Sequence, residues 1–79
     1  MHEVSLGEAI LDAVERRAAG RKVVRVKVRV GTHHVASEPA LDQGFALVSE
    51  GSVAEGARLE IVTVPGEELV LEELELDGG

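Results

Sequence analysis

Residues 24–31, Val-Arg-Val-Lys-Val-Arg-Val-Gly, alternate valine with a cationic residue and end in glycine. Successive side chains of a strand point to opposite faces, so this stretch predicts a strand with one buried face and one charged, solvated face. The buried face must pack against a second apolar layer, because a half-apolar sheet is not stable alone. The stretch therefore predicts a sheet that is covered on one side.

Helices are predicted on both sides of this strand. Apolar residues at helical spacing predict the first helix over 6–19. Ser5 and Glu8 have the spacing of a capping box at its start, and Gly20 suits a left-handed cap at its end. Ser37 is the expected N-cap of a second helix. The predicted core face of this second helix consists of Ala40, Leu41, Phe45, Leu47 and Val48.

Two further strands are predicted over 57–64 and 67–77. Pro65-Gly66 between them fits the central pair of a type II turn, so the second and third strands are expected to form a hairpin. The order is then α-β-α-β-β, an α+β fold with two helices on one face of a three-stranded sheet. Residues 1–79 are expected to form a single domain, since 79 residues leave no room for a second.

The charges are segregated along the chain. Seven of the eight basic residues lie between Arg16 and Arg29, whereas the segment 60–77 holds seven acids and no base. The third strand is expected to pair its acids with the first strand and to lie between the other two. A bulge at Glu72-Glu73 would bring the leucines of that strand to one face. The alternative interpretation of the acidic half is a docking surface for a basic partner.

Composition excludes several classes of function. The net charge of −7 repels phosphate backbones and anionic lipid, and Phe45 is the only aromatic residue, so neither nucleic acid nor a membrane is an expected partner. The chain has no cysteine, which removes disulfides, thiolate nucleophiles and cysteine-based zinc sites. A nucleophile triad and a glycine-rich phosphate loop are also missing, so the chain is not expected to be an enzyme. Without a signal pattern or an apolar run of ~20 residues, the expected location is cytoplasmic.

The first three residues, Met1-His2-Glu3, carry the most specific chemistry. The amine of Met1, the amide nitrogen of residue 2 and the imidazole of His2 could close two fused chelate rings. Three nitrogens in one plane favour Ni(II) or Cu(II) over tetrahedral Zn(II). Glu3, His33 or His34 could supply the fourth donor. The alternative is structural: His2 and Glu3 lead into the helix cap, and both loop histidines are solvated.

Five segments, taken together, indicate a protein family more specifically than any single motif does. They are 1–6 (Met-His-Glu-Val-Ser-Leu), 8–14 (Glu-Ala-Ile-Leu-Asp-Ala-Val), 26–31 (Val-Lys-Val-Arg-Val-Gly), 45–48 (Phe-Ala-Leu-Val) and 57–61 (Ala-Arg-Leu-Glu-Ile). Their sequence resembles the HypA family, the nickel metallochaperones of hydrogenase and urease maturation. The resemblance covers nearly the whole chain.

The resemblance implies that Met1, His2 and Glu3 bind Ni(II). Where the family often has an acidic residue close to the metal, this chain has Ser37. His33, His34 and Glu38 are the nearby candidates for the fourth ligand. The family also inserts a zinc lobe with paired cysteines between its second and last strands. Here the chain continues directly through Pro65-Gly66, so the resemblance implies a HypA-like nickel-binding domain without structural zinc.

The implied function is that of a nickel metallochaperone for [NiFe]-hydrogenase maturation. Urease maturation is the other function that the resemblance implies. It would deliver Ni(II) to a maturation GTPase or to the apo-hydrogenase large subunit. The alternative is a HypA-like adaptor without the zinc lobe, which acts through protein contacts and delivers no metal. Val62, Val64 and Val70 are expected on the outer sheet face as scattered exposed residues. The alternative is a homodimer or partner contact, either through this patch or through a free edge of the sheet.

Overall fold

The described chain folds into two helices and three strands, in the predicted order α-β-α-β-β. The structure is a computed structural model that describes residues 2–35 and 37–78, and the side chain of His2 lies outside the described part. The elements are α1 (His2–Ala18), β1 (Val23–Gly31), α2 (Glu38–Ser49), β2 (Arg58–Val64) and β3 (Leu69–Leu76). The α+β fold class is confirmed. Neither helix has the length and apolar character needed to cross a bilayer, as far as the described residues go.

The strands form one mixed sheet of order β2-β1-β3. β1 runs parallel to β2 and antiparallel to β3, so the predicted hairpin between the second and third strands is wrong. The expectation that the third strand lies in the centre is also wrong. β1 takes the centre because both of its neighbours supply acids to its cationic face, and α2 provides the crossover that a parallel β1–β2 pair requires.

The connection from β2 to β3 passes over the end of β1 at Gly31. A Cβ on Gly31 would collide with the carbonyl oxygen of Gly66. The amide of Gly31 donates to Glu68 O at 2.6 Å, and the amide of His33 donates to Gly66 O at 3.0 Å. Glycine at the end of β1 therefore allows two backbones to approach closely, which lets β3 reach the far side of β1.

The core lies between the helices and the inner face of β1. Val26, Val28 and Val30 are no more than 1% exposed. Val24, predicted on the same face, is 36% exposed, because the register between β1 and β3 shifts next to it and turns Val23 inward instead. Leu47, predicted in the core face of the second helix, is 56% exposed.

Two of the three predicted helix caps are confirmed. The amide of Ala40 donates to the Ser37 hydroxyl at 3.2 Å, which confirms the N-cap of α2 with Glu38 in its first turn. Gly20 has a φ of 88°, as expected for the end of α1. The capping box at Ser5 is wrong, because α1 already begins at His2 and Ser5 is an exposed residue within it.

The bulge in β3 is confirmed. Val28 faces Leu71 and Lys27 faces Glu73, so Glu72 is the extra residue. Leu71, Leu74 and Leu76 consequently pack against the core. The outer sheet face is bare of helices, and Val62 and Val70 are exposed on it as predicted.

Candidate metal site

The start of α1 holds the residues that the sequence predicts as nickel ligands. Met1 lies outside the described residues, and His2 is described by its backbone alone, as the first residue of α1. Glu3 lies in the first turn and is half-buried. The first amides of a helix have no partner within it, so the amides of residues 2 and 3 hold no helical hydrogen bond that metal binding would break.

Two glycines bring the start of α1 against α2. A Cβ on Gly44 would lie 2.7 Å from the carbonyl oxygen of Glu3. A Cβ on Gly7 would lie 3.0 Å from the backbone nitrogen of Phe45. The two helix backbones are therefore almost in contact. This contact fixes the main chain of Glu3 against α2. This contact was not predicted from the sequence; the signal for it was a glycine next to the core face of each helix.

A groove of about 220 Å³ opens beside Glu3. Its lining residues are Glu3, Val4, Ala40, Gln43, Gly44 and Leu47. The acidic side chain of Glu3 therefore shares a surface with the exposed side chain of Leu47, which lies on the α1 side of α2.

The histidine turn, residues 32–34, follows the end of β1. Because a connection of only four residues, 19–22, joins α1 to β1, we expect this turn at the same end of the fold as the start of α1. His34 Nε2 lies 2.7 Å from Glu67 O in the β2–β3 connection, and His33 is exposed. His34 is thus engaged by the backbone of that connection.

Glu38 lies on the opposite side of α2 from Glu3. It lines a different groove together with Asp42, Leu59 and Ile61, next to β2. Residues 38 and 42 share one helical face, whereas Ala40, Gly44 and Leu47 line the other groove. The structure therefore does not bring Glu38 together with Glu3.

No group of three or more His, Asp or Glu side chains is arranged to hold a metal ion within residues 2–35 and 37–78. This finding does not include the donors of Met1 or the imidazole of His2, because neither is among the described atoms. The three-nitrogen site therefore remains a prediction.

The acids of β3 are paired with β1, as the charge pattern predicts. Arg25 contacts Glu60 at 2.8 Å, Glu73 at 3.0 Å and Glu75 at 3.1 Å. Hydrogen bonds to Glu73 and then Glu75 raise the pKa of the Arg25 guanidinium above its ordinary value. The hydrogen bond from Arg25, followed by the charge of Lys27, lowers the pKa of the Glu73 carboxyl.

Arg29 makes a second ion-pair cluster on the same face. Its guanidinium contacts Glu68 and Glu72, each at 2.7 Å. The bulge therefore has a charge role as well as a packing role, because it places Glu72 beside Arg29 and Glu73 beside Arg25. These carboxylates are held by arginines on the outer sheet face, away from the start of α1.

The fold agrees with the comparisons to known proteins. A model of the family described as "Hydrogenase/urease nickel incorporation, metallochaperone, hypA" matches residues 1–74. The chain therefore belongs to the HypA family. Its fold is similar to the solution structure of the Ni metallochaperone HypA from Helicobacter pylori, with a TM-score of 0.66 and 18% sequence identity. That match covers 96% of this chain and 93% of the other.

Two curated relatives show the same family at higher sequence identity. Hydrogenase maturation factor HypA from Azotobacter chroococcum is 42% identical over 69 residues, which cover 84% of this chain and 61% of the relative. Its counterpart from Rhodobacter capsulatus is 40% identical over 70 residues, covering 85% and 62%. The chain thus spans about three fifths of the length of these relatives.

Proposed function

We propose that this chain is a nickel metallochaperone that binds Ni(II) through Met1, His2 and Glu3 for [NiFe]-hydrogenase maturation. The observation that carries the proposal is the family match over residues 1–74, which includes all three predicted ligands. The close packing of Glu3 on Gly44 supports it, because this contact holds the start of α1 in a defined place beside the predicted donors. We propose the cytoplasm as its location.

The donor set has the chemistry that Ni(II) requires. An amine, an amide nitrogen and an imidazole in one plane suit a square-planar d8 ion better than Zn(II). The positive end of the α1 dipole opposes a bare cation at this position. A deprotonated amide and the carboxylate of Glu3 would offset that repulsion. This proposal takes Met1 as the first residue of the mature protein, with a free amine.

The fourth donor is best sought at the same end of the fold. Glu38 lies across α2 from Glu3, so we do not favour it. The side chain of Glu3 and the histidine turn remain, and His33 is the more exposed of its two histidines. His34 already meets a backbone carbonyl through Nε2.

Delivery follows from the position of the site. A site at the end of a chain uses few side chains and is open to a competing ligand, so a partner with a stronger chelating set can remove the metal. The proposed recipients are a maturation GTPase and the apo-hydrogenase large subunit. The cysteine-free sequence offers no thiolates for the zinc site typical of the family, so we propose that nickel is the only metal these residues carry.

Calorimetric titration of untagged protein with Ni(II) tests the proposal. We expect about one Ni(II) per chain, weaker binding of Zn(II), and loss of Ni(II) binding in His2→Ala. The matched control is His33→Ala, which removes an exposed imidazole at the same end of the fold. Mass spectrometry first checks that Met1 is retained and unblocked.

Two results would contradict the proposal. Binding that survives in His2→Ala but is lost in His33→Ala would move the site to the histidine turn. Absence of Ni(II) binding by the native chain would favour the adaptor without metal delivery. Under that alternative, acetylation of the Met1 amine would leave hydrogenase maturation unchanged, whereas the metallochaperone would lose its activity.

A further inference from the structure

β2 is an edge strand with a regular, unprotected outer side. It pairs with β1 alone, in an unbroken parallel register from Arg58 to Val64. Its sequence, Arg-Leu-Glu-Ile-Val-Thr-Val, contains neither proline nor glycine and is rich in β-branched residues. Such an edge presents a row of unpaired backbone groups to which another strand can add.

The opposite edge of the sheet is protected. β3 contains the bulge at Glu72, and bulges disrupt further pairing. The Arg17 guanidinium donates to the carbonyl oxygen of Leu71 at 3.3 Å, which occupies a backbone acceptor of that strand. Acidic side chains are also dense along β3. Proteins use these devices to block edge pairing. β2 has an unbroken register with β1, and Glu60 is its only acid.

A groove lies directly beside β2, between that strand and α2. It measures about 320 Å³ and is lined by Glu38, Pro39, Asp42, Leu59 and Ile61. Leu59 and Ile61 are partly buried and apolar, whereas Glu38 and Asp42 are exposed. Neither of these two acids is ion-paired with another described residue, in contrast to the acids of β3. The groove therefore combines an apolar floor with uncompensated negative charge.

We propose that the β2 edge and this groove bind an extended protein segment with basic side chains at alternate positions. Its backbone would add a fourth strand to the sheet. Every second side chain would point toward α2. Lysine or arginine at these positions would cover Leu59 and Ile61 with its aliphatic stem and bring its charge to Glu38 and Asp42.

Charge favours this occupant over a second copy of the chain. In a pair of β2 strands, the side chains on the helix side would be those of Leu59, Ile61 and Thr63. None of them is cationic, so Glu38 and Asp42 would remain uncompensated. A basic extended segment would pair with the open backbone edge of β2 and would also compensate the charges of Glu38 and Asp42.

Binding is tested with metal-free protein and two blocked peptides of about ten residues each. In the first, lysine alternates with threonine; in the second, glutamate alternates with threonine. We expect the lysine peptide to shift the NMR signals of the amides of 58–64 and to slow their hydrogen exchange, with β3 unchanged. The glutamate peptide should produce neither effect.

Matched variants distinguish binding at this groove from nonspecific electrostatic attraction of a basic peptide to an acidic protein. The double variant Glu38→Gln/Asp42→Asn should weaken the lysine peptide roughly 3- to 30-fold, as expected for two exposed ion pairs. Glu8→Gln/Glu15→Gln on α1 changes the net charge equally and should leave binding unchanged.

Three results would overturn the proposal. They are equal effects of the two double variants, shifts on β3 or the outer sheet face instead of β2, and a dimer in sedimentation whose exchange protection maps to β2. Since no nickel is present, failure here leaves the nickel proposal standing, and loss of nickel binding would leave this one standing.

Discussion

The two faces of β1 differ in what they contribute to the fold. On the inner face, Val26 and Val28 are no more than 1% exposed and belong to one core cluster with residues of both helices. On the outer face, Arg25 and Arg29 are partly exposed and contact four glutamates of the neighbouring strands together with Glu68, which directly precedes β3. Buried apolar contacts stabilise strongly, whereas exposed ion pairs contribute little each. The difference indicates that the inner face supplies stability and the outer face selects which strands flank β1.

The largest effect on stability is expected from a cavity on the inner side of β1. Phe45→Ala removes the largest buried side chain, which is 1% exposed, and should lower the free energy of unfolding by about 3–5 kcal/mol. Leu47→Ala is the control on the same helix, because Leu47 is largely exposed and should change stability by less than about 0.5 kcal/mol. Urea denaturation measures both. Equal losses would contradict the distinction between buried and exposed apolar residues of α2.

A smaller effect is expected at the contact between the helices. Gly44→Ala places a Cβ 2.7 Å from the carbonyl oxygen of Glu3. We expect a loss of about 1–3 kcal/mol, because a clash with backbone outweighs the gain in helix propensity. Gln43→Ala, one residue away and exposed, should be neutral or slightly stabilising in the same urea experiment. A stabilising Gly44→Ala would show that α1 and α2 are not held this closely.

The smallest effect is expected on the outer face, and it depends on pH. The folded pKa of Glu73 lies below the ordinary value of 4.5, mainly through its hydrogen bond from Arg25. Its contribution to stability is therefore fully present above that ordinary value and is lost as pH falls through the lowered pKa. Urea midpoints should fall less on acidification in Glu73→Gln than in the native chain.

The control for this pH dependence is Glu8→Gln, which removes a carboxylate that is not ion-paired within the described chain. It should show the same acid sensitivity as the native protein. If Glu73→Gln and Glu8→Gln respond alike to acid, the hydrogen bond between Arg25 and Glu73 contributes nothing measurable to stability.

Local features of the fold could be predicted because local sequence determines them. The Ser37 cap and the bulge at Glu72 are set by residues a few positions apart, and both are confirmed. The strand order was not predictable from the turn at Pro65-Gly66, since a turn reverses the chain without specifying which strand lies between its ends. Charge pairing correctly placed β3 beside β1 but did not reveal that Gly31 lets the connection cross over it.

For the candidate site too, local chemistry could be predicted from the sequence and long-range contacts could not. The donor chemistry of Met1, His2 and Glu3 can be read from adjacent residues, since the proposed chelate rings form along one stretch of chain. Contacts between distant residues could not be read in this way. The packing of Glu3 on Gly44 and the position of Glu38 across α2 depend on how the helices cross, which no short motif encodes.

The most direct test of the nickel site is an NMR spectrum of isotope-labelled protein with one equivalent of Ni(II). Square-planar Ni(II) is diamagnetic, so signals near the metal should move and stay sharp. We predict shifts of residues 2–5 and of Gly44, which packs against Glu3, with β2 and β3 unchanged. Shifts centred on the histidine turn with the start of α1 unaffected, or an unchanged spectrum, would contradict nickel binding by Met1, His2 and Glu3.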